Sequence, residues 1–181
     1  VGNSLATGDD VDLIHYGADD NASGSSAVLE LAHFFSNPAN RKNLKYNLYF
    51  ALWSAEEMGV LGSKAFIEDW EKSNNSKFKD NFVASINLDM VGRFKDKLMI
   101  QGIGSSKQWS RVAEEITLRT GMPLSLQNDP YLPTDAISFY LSEIPSISLF
   151  TGVHSDYHSP RKKEKKINWD GLYKITHITK D

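Results

Sequence analysis

An α/β layered fold with a largely parallel, mixed central sheet is what the sequence predicts, and three observations carry it. Short apolar runs of strand length alternate along the chain with segments whose apolar residues recur at helical spacing. The 181 residues, 40% hydrophobic and 24% charged, suffice for one domain with a sizeable core. No internal repeat, low-complexity tract or interior linker interrupts them, so residues 1–181 read as one domain.

Residues 1–16, with Gly2, Asn3, Gly8 and the acidic Asp9, Asp10 and Asp12, lack a sustained period and read as a loop. Ala27, Val28, Leu31, Ala32 and Phe35 then follow helical spacing from Ala22, and Pro38 stops the pattern. Leu48 to Trp53 is a nearly unbroken apolar run, which predicts a strand buried on both faces. A second helix is expected from Val60 to Trp70. Strands follow over Phe82 to Met90 and over Lys97 to Gln101, the latter ended by Gly102 and Gly104. Trp109, Val112, Ala113 and Ile116 mark another helix, with Ser105 or Ser106 to cap it and Gly121 and Pro123 to end it. Thr134 or Asp135 can cap a short helix through Leu141, Ile144 to Phe150 is a further strand, and a last helix begins at Trp169.

Charge and composition exclude several function classes. With 20 Lys+Arg against 23 Asp+Glu the net charge is -3, so nothing draws the chain generally to nucleic acid or an anionic membrane. No apolar run approaches the roughly 20 residues of a membrane span. The absence of cysteine removes disulfides, thiolate metal sites and a thiol nucleophile, leaving histidine and carboxylates as metal ligands.

In a layered α/β fold, sites form beyond the carboxyl ends of the strands. Glu56 and Glu57 follow the apolar run ending at Trp53, Asp89 closes the next strand, and His154, Asp156 and His158 follow Phe150. Asp19 and Asp20 stand just before the first helix. Taken singly, each has an ordinary explanation: an N-cap for the Asp-Asp-Asn, a solvated surface for the Glu pair, a loop histidine for His158. Asp89, between Leu88 and Met90, needs a cation or several donors. Together they place oxygen and nitrogen ligands along one edge of the sheet, as a zinc-like metal requires.

Gly17-Ala18-Asp19-Asp20-Asn21-Ala22-Ser23-Gly24, Ser54-Ala55-Glu56-Glu57-Met58-Gly59, Asn87-Leu88-Asp89-Met90 and His154-Ser155-Asp156-Tyr157-His158-Ser159-Pro160 occur in this order. The set resembles the co-catalytic zinc aminopeptidases of clan MH, which include bacterial leucyl aminopeptidases and glutamate carboxypeptidases, and the likeness covers nearly the whole chain. It implies a three-layer α/β/α zinc-exopeptidase fold (phosphorylase/hydrolase-like) and removal of N-terminal residues from peptide substrates. By the same resemblance Asp20 bridges two zinc ions through a cis Asp20–Asn21 peptide. Glu57 and His158 complete one ion, Asp89 binds the other, Glu56 is the general base and Tyr131 supports the oxyanion. It implies an exported protein and leaves oligomeric state open.

Two departures accompany the likeness. The family's His-x-Asp motif, which supplies a further ligand, is absent ahead of Asp19, and His15 matches a histidine that does not bind metal. The chain also opens on Val1 rather than Met, and both facts lead to the expectation of a catalytic domain without its N-terminal strands. Beyond His158 the chain reads Pro160-Arg161-Lys162-Lys163-Glu164-Lys165-Lys166 where relatives usually continue with an acidic residue and a threonine. Two competing readings share the fold: a single-zinc glutaminyl cyclase, and a binding domain that has lost its chemistry. Trp53, Trp70, Trp109 and Trp169 are expected to pack rather than to form a stacking platform.

Overall fold

In chain order the elements are α1 (Ala22–Ser36), α2 (Pro38–Arg41), α3 (Leu61–Asn74), β1 (Ser85–Leu88), β2 (Leu98–Gln101), α4 (Gln108–Thr120), β3 (Leu124–Gln127), α5 (Ala136–Leu141), β4 (Ser146–Phe150) and α6 (Trp169–Lys180). They belong to a computed structural model that describes residues 13–160 and 164–180. Residues 1–12 of the expected N-terminal loop and the basic Arg161, Lys162 and Lys163 lie outside the described residues. Two compact units result, one from residues 13–52, 88–95, 151–160 and 164–180, the other from 53–87 and 96–150.

The second unit carries a four-stranded sheet in the order β1-β4-β2-β3. β2 pairs parallel with β3, Leu98 opposite Leu124, and antiparallel with β4, Ile100 opposite Leu149, so the sheet is mixed. β4 is buried from Ser146 to Leu149, as its apolar run predicts. Its two serines are satisfied in place: Ser146 Oγ donates to Ile144 O at 2.9 Å, and Ser148 Oγ accepts from Asn87 Nδ2 at 3.2 Å. Ile67 of α3, Phe139 of α5, Phe78 and Ile144 form a core edged by Trp53, Phe66, Trp70 and Phe82. α4 ends as expected on Gly121, whose φ of +66° lets its N–H reach Thr117 O at 2.9 Å.

Ser63 and Ser138 join α3 to α5 through a buried 2.8 Å hydroxyl contact, and Asp135 is buried at the start of α5. Burial pushes the Asp135 carboxyl up, and a hydrogen bond with Ser63 only partly offsets this. The folded chain therefore holds this proton more tightly than the unfolded chain does. The favourable contribution is complete below the unfolded pKa of about 3.9 and is lost as pH rises through the folded value. Asp135→Asn is expected to melt above the wild type at pH 7, with the two curves converging towards about pH 3.5. A wild type that melts higher at pH 7 would show Asp135 to be held by compensating donors.

In the first unit α1 packs on α6, with Ala27, Leu31, Leu172, Ile175 and Ile178 buried. Pro38 does end the α1 pattern, and it opens α2, where Asn37 caps by accepting from Ala39 N at 3.0 Å. Two expectations need correction. Leu48 to Trp53 forms no strand among the described residues, and Leu48, Tyr49, Phe50 and Leu52 are exposed. An apolar run becomes a buried strand only where neighbouring strands supply its ladder and cover its faces, and composition does not encode that. Trp169, expected to pack, is 67% exposed at the first residue of α6.

Candidate metal centre

The turn before α1 sets Asp20. Asn21 Oδ1 caps α1 by accepting from Gly24 N at 3.0 Å, and it also faces Met90 N at 3.3 Å, while Asn21 Nδ2 donates to Leu88 O at 2.9 Å. One amide thus ties the backbone on both sides of Asp89 to the residue after Asp20. Gly24 permits this approach, because a Cβ there would collide with Leu88 O and with the Asn21 side chain. The Asp20–Asn21 peptide is cis, as the resemblance implies.

The segment after β4 brings His158 to the same place. Thr151 Oγ1 donates to Met90 O at 2.6 Å and accepts from Arg93 N at 3.1 Å, which holds the loop against residues 90–93. His158 Nε2 lies 2.9 Å from Asp20 Oδ2, and the Tyr157 ring stacks on its imidazole with centroids 3.7 Å apart. Two zinc ligands at roughly 2.0–2.1 Å and a tetrahedral angle stand about 3.3 Å apart. The Asp20–His158 pair, both side chains largely buried, is within a few tenths of an ångström of that spacing. One carboxylate oxygen and one imidazole nitrogen also suit zinc chemically.

Glu56, Glu57 and Tyr131 belong to the second unit. Glu56 and Glu57 sit in a 3-10 turn, Glu56–Met58, entered through Ala55 at φ +55° and left through Gly59 at φ +101° and Val60 at φ +53°. Glu56 O accepts from Gly59 N at 2.9 Å and Val60 N at 2.8 Å, so the turn is closed on itself before α3 begins. Gly62 must lack a side chain, since a Cβ would stand 2.6 Å from Ser54 O and 2.8 Å from Ser54 N, both backbone atoms. Gly62→Ala is expected to cost about 1–3 kcal/mol, read as a lower urea midpoint at unchanged m-value. Tyr131 is 64% exposed, with its ring edge-on to Tyr140 at 5.2 Å.

Among the described residues, six non-glycine positions have left-handed backbone, and Ala55, Met90 and His158 are among them. Ala55 precedes Glu56, Met90 follows Asp89, and His158 is itself a predicted ligand. Such conformations are costly without glycine and gather where geometry serves a site.

The sequence leaves a second cluster unassigned. Asp19, fully buried, accepts from Gly92 N at 2.8 Å, and its Oδ2 lies 3.0 Å from His154 Nε2. His154 Nδ1 is 3.2 Å from Asp156 Oδ1, and Arg93 Nη2 is 2.8 Å from both Asp156 oxygens. Lys166 Nζ approaches the same carboxylate at 3.4 Å. Burial pushes the Asp156 carboxyl up, but Arg93, His154 and Lys166 outweigh it and hold the group below its usual range. His154 and Asp156 are visible in the sequence as ligand-type residues at a strand end. What hides their use is that their partners, Asp19 and Arg93, are 135 and 63 residues away.

The model of peptidase family M28 matches residues 4–181. The chain belongs to peptidase family M28. Leupeptin-inactivating enzyme 1 of Streptomyces exfoliatus is 28% identical over 169 residues, covering 92% of this chain and 36% of that enzyme. Among solved structures, BSAP, a zinc aminopeptidase from Bacillus subtilis, is similar with a TM-score of 0.72 and 23% identity, over 94% of this chain and 43% of that one. A glutaminyl cyclase from Porphyromonas gingivalis is similar with a TM-score of 0.62 and 17% identity, over 90% and 63%. The α/β fold expected from the sequence is thus the fold of this M28 chain, which spans about two fifths or less of the length of the first two of these proteins. No described helix is long and apolar enough to cross a membrane.

Proposed function

We propose that this M28 chain is a zinc-dependent exopeptidase that removes N-terminal residues from peptides, with residues 1–181 acting as one catalytic domain. The observation that carries the reading is the Asp20–His158 pair, an oxygen and a nitrogen 2.9 Å apart, on two motifs of a chain that matches the family almost throughout. Asp20, Glu57 and His158 would hold one ion, and Asp89 with Asp20 would hold a second. Zinc in such a set supplies Lewis acidity towards a water and a peptide carbonyl. Glu56 takes the proton of the attacking water, and the Tyr131 hydroxyl donates to the oxyanion. As a peptidase it would meet peptides rather than nucleic acid, and we propose that it acts as an exported protein.

The test follows zinc uptake, release of free amino acids from Leu-initiated peptides and ring closure of Gln-initiated peptides in one preparation. Bound zinc and stepwise release, both lost in Asp20→Ala, support the aminopeptidase. Ring closure without release would mean a cyclase, whose solved relative is less similar in structure than the aminopeptidase. Zinc without either reaction would leave a binding domain, and no zinc uptake overturns the metal centre itself.

A further inference from the structure

Metal ligands carried on turns and loops hold their spacing only if something fixes the backbone behind them. Asp20 precedes a helix and His158 lies in a loop, and their side-chain contact spans 138 residues of sequence. The neighbouring buried cluster connects the same segments by a second route. Asp19 is adjacent to Asp20, and its Oδ1 takes the Gly92 N–H while the Ser23 hydroxyl lies 3.1 Å away. Its Oδ2 meets His154, which precedes His158 in the same loop. His154 in turn faces Asp156, which Arg93 anchors to the strand end that carries Asp89.

We propose that the chain Asp19–His154–Asp156–Arg93 is a positioning relay for the metal centre, with His154 holding the His158 loop at coordinating distance from Asp20 without touching the metal. The inference rests on the metal-centre reading above. Three features support it. The His154 ring is buried, its Nε2 is held by Asp19 Oδ2 at 3.0 Å, and its Nδ1 lies 3.2 Å from the Asp156 carboxylate without a hydrogen bond, so Asp19 sets its orientation and Asp156 contributes charge. Asp19 engages both of its oxygens inside the protein, Oδ1 with Gly92 N–H and the Ser23 hydroxyl and Oδ2 with His154, so its carboxylate ties these segments together. Gly92 allows the clasp, because a Cβ there would stand 2.8 Å from Asp19 Oδ1 and 2.9 Å from Ser23 Cβ. Outer groups that orient ligands in this way typically change metal affinity by about 10–100-fold when removed.

The experiment measures Zn²⁺ affinity by competition with a chromophoric chelator, the visible spectrum of the Co²⁺-loaded protein, and melting of the metal-free protein. His154→Gln is expected to weaken Zn²⁺ binding by about 10–100-fold and to alter the Co²⁺ bands, while the metal-free protein still melts cooperatively. A merely structural histidine would lower that melting temperature and leave affinity and spectrum unmoved, which overturns the inference. If His154→Gln shows no melting transition, Asp19→Asn, which keeps an oxygen for Gly92 N–H, decides on the same criteria. His158→Ala distinguishes failure of the metal centre from failure of the relay. Should it leave zinc affinity unchanged, the metal-centre reading falls and the relay with it; should it abolish binding while both relay variants bind normally, only the relay falls.

Discussion

Glu56→Gln is expected to leave zinc content unchanged and to lower kcat by about 10²–10⁴-fold, the loss that follows removal of a positioned general base. Gln keeps the length and planarity of Glu, and backbone hydrogen bonds hold the main chain around it. Glu56 O already closes the turn through Gly59 N and Val60 N, and Gly62 N reaches back to Ser54 O at 3.0 Å. What disappears is the ability to accept a proton. KM should therefore move little, and the carboxylate limb of the kcat–pH profile should vanish with the activity. The adjacent Glu57→Gln serves as the contrast: it should lose metal as well as turnover, because a neutral amide is a poor zinc ligand. Loss of zinc in Glu56→Gln with retained binding in Glu57→Gln would exchange the two roles, and full activity in Glu56→Gln would remove Glu56 from the mechanism.

The regular elements that the sequence reveals are those whose signal is local. α1 and α4 declare themselves through apolar spacing and through Asn21 and Gly121 at their ends, each of which caps as its chemistry requires. β4 reads correctly because a short apolar run with strands on either side is buried on both faces. Leu48 to Trp53 has the same composition and no such surroundings among the described residues, which is why the same rule fails there. β3 escapes the sequence for the opposite reason: four residues behind Pro123 carry little pattern of their own, and β2 supplies the register. The candidate site divides likewise. Asp20 and His158 can be paired only through the order of family motifs, since no local rule joins residues so distant. Arg93, in Val91-Gly92-Arg93-Phe94, looks like any surface arginine until the fold buries Asp156 against it.

That burial makes Arg93→Met the substitution with the largest expected effect on stability. The Arg93 and Asp156 side chains are only 10% and 3% exposed, and they are joined at 2.8 Å. Removing one partner leaves a buried carboxylate with His154 at 3.2 Å and a half-exposed Lys166 at 3.4 Å, neither of which can stand in for a guanidinium that reaches both carboxylate oxygens. Breaking a buried pair in this way costs about 3–5 kcal/mol, or roughly 6–20 °C in Tm for a chain of this length. The size of the effect reflects the stranded charge more than any net worth of the pair. Replacing both residues should therefore recover most of the stability, and Arg93→Met with Asp156→Leu is expected to melt closer to the wild type than Arg93→Met alone. Thermal melts of the metal-free single and double variants read this directly. A single variant within about 1 kcal/mol of wild type would mean that Asp156 reaches water or Lys166 easily once Arg93 is gone. A double variant no better than the single would mean that Asp156 is needed for His154 rather than merely tolerated beside Arg93. In that case the metal-free melting temperature and the Zn²⁺ affinity should fall together along Asp19, His154 and Asp156.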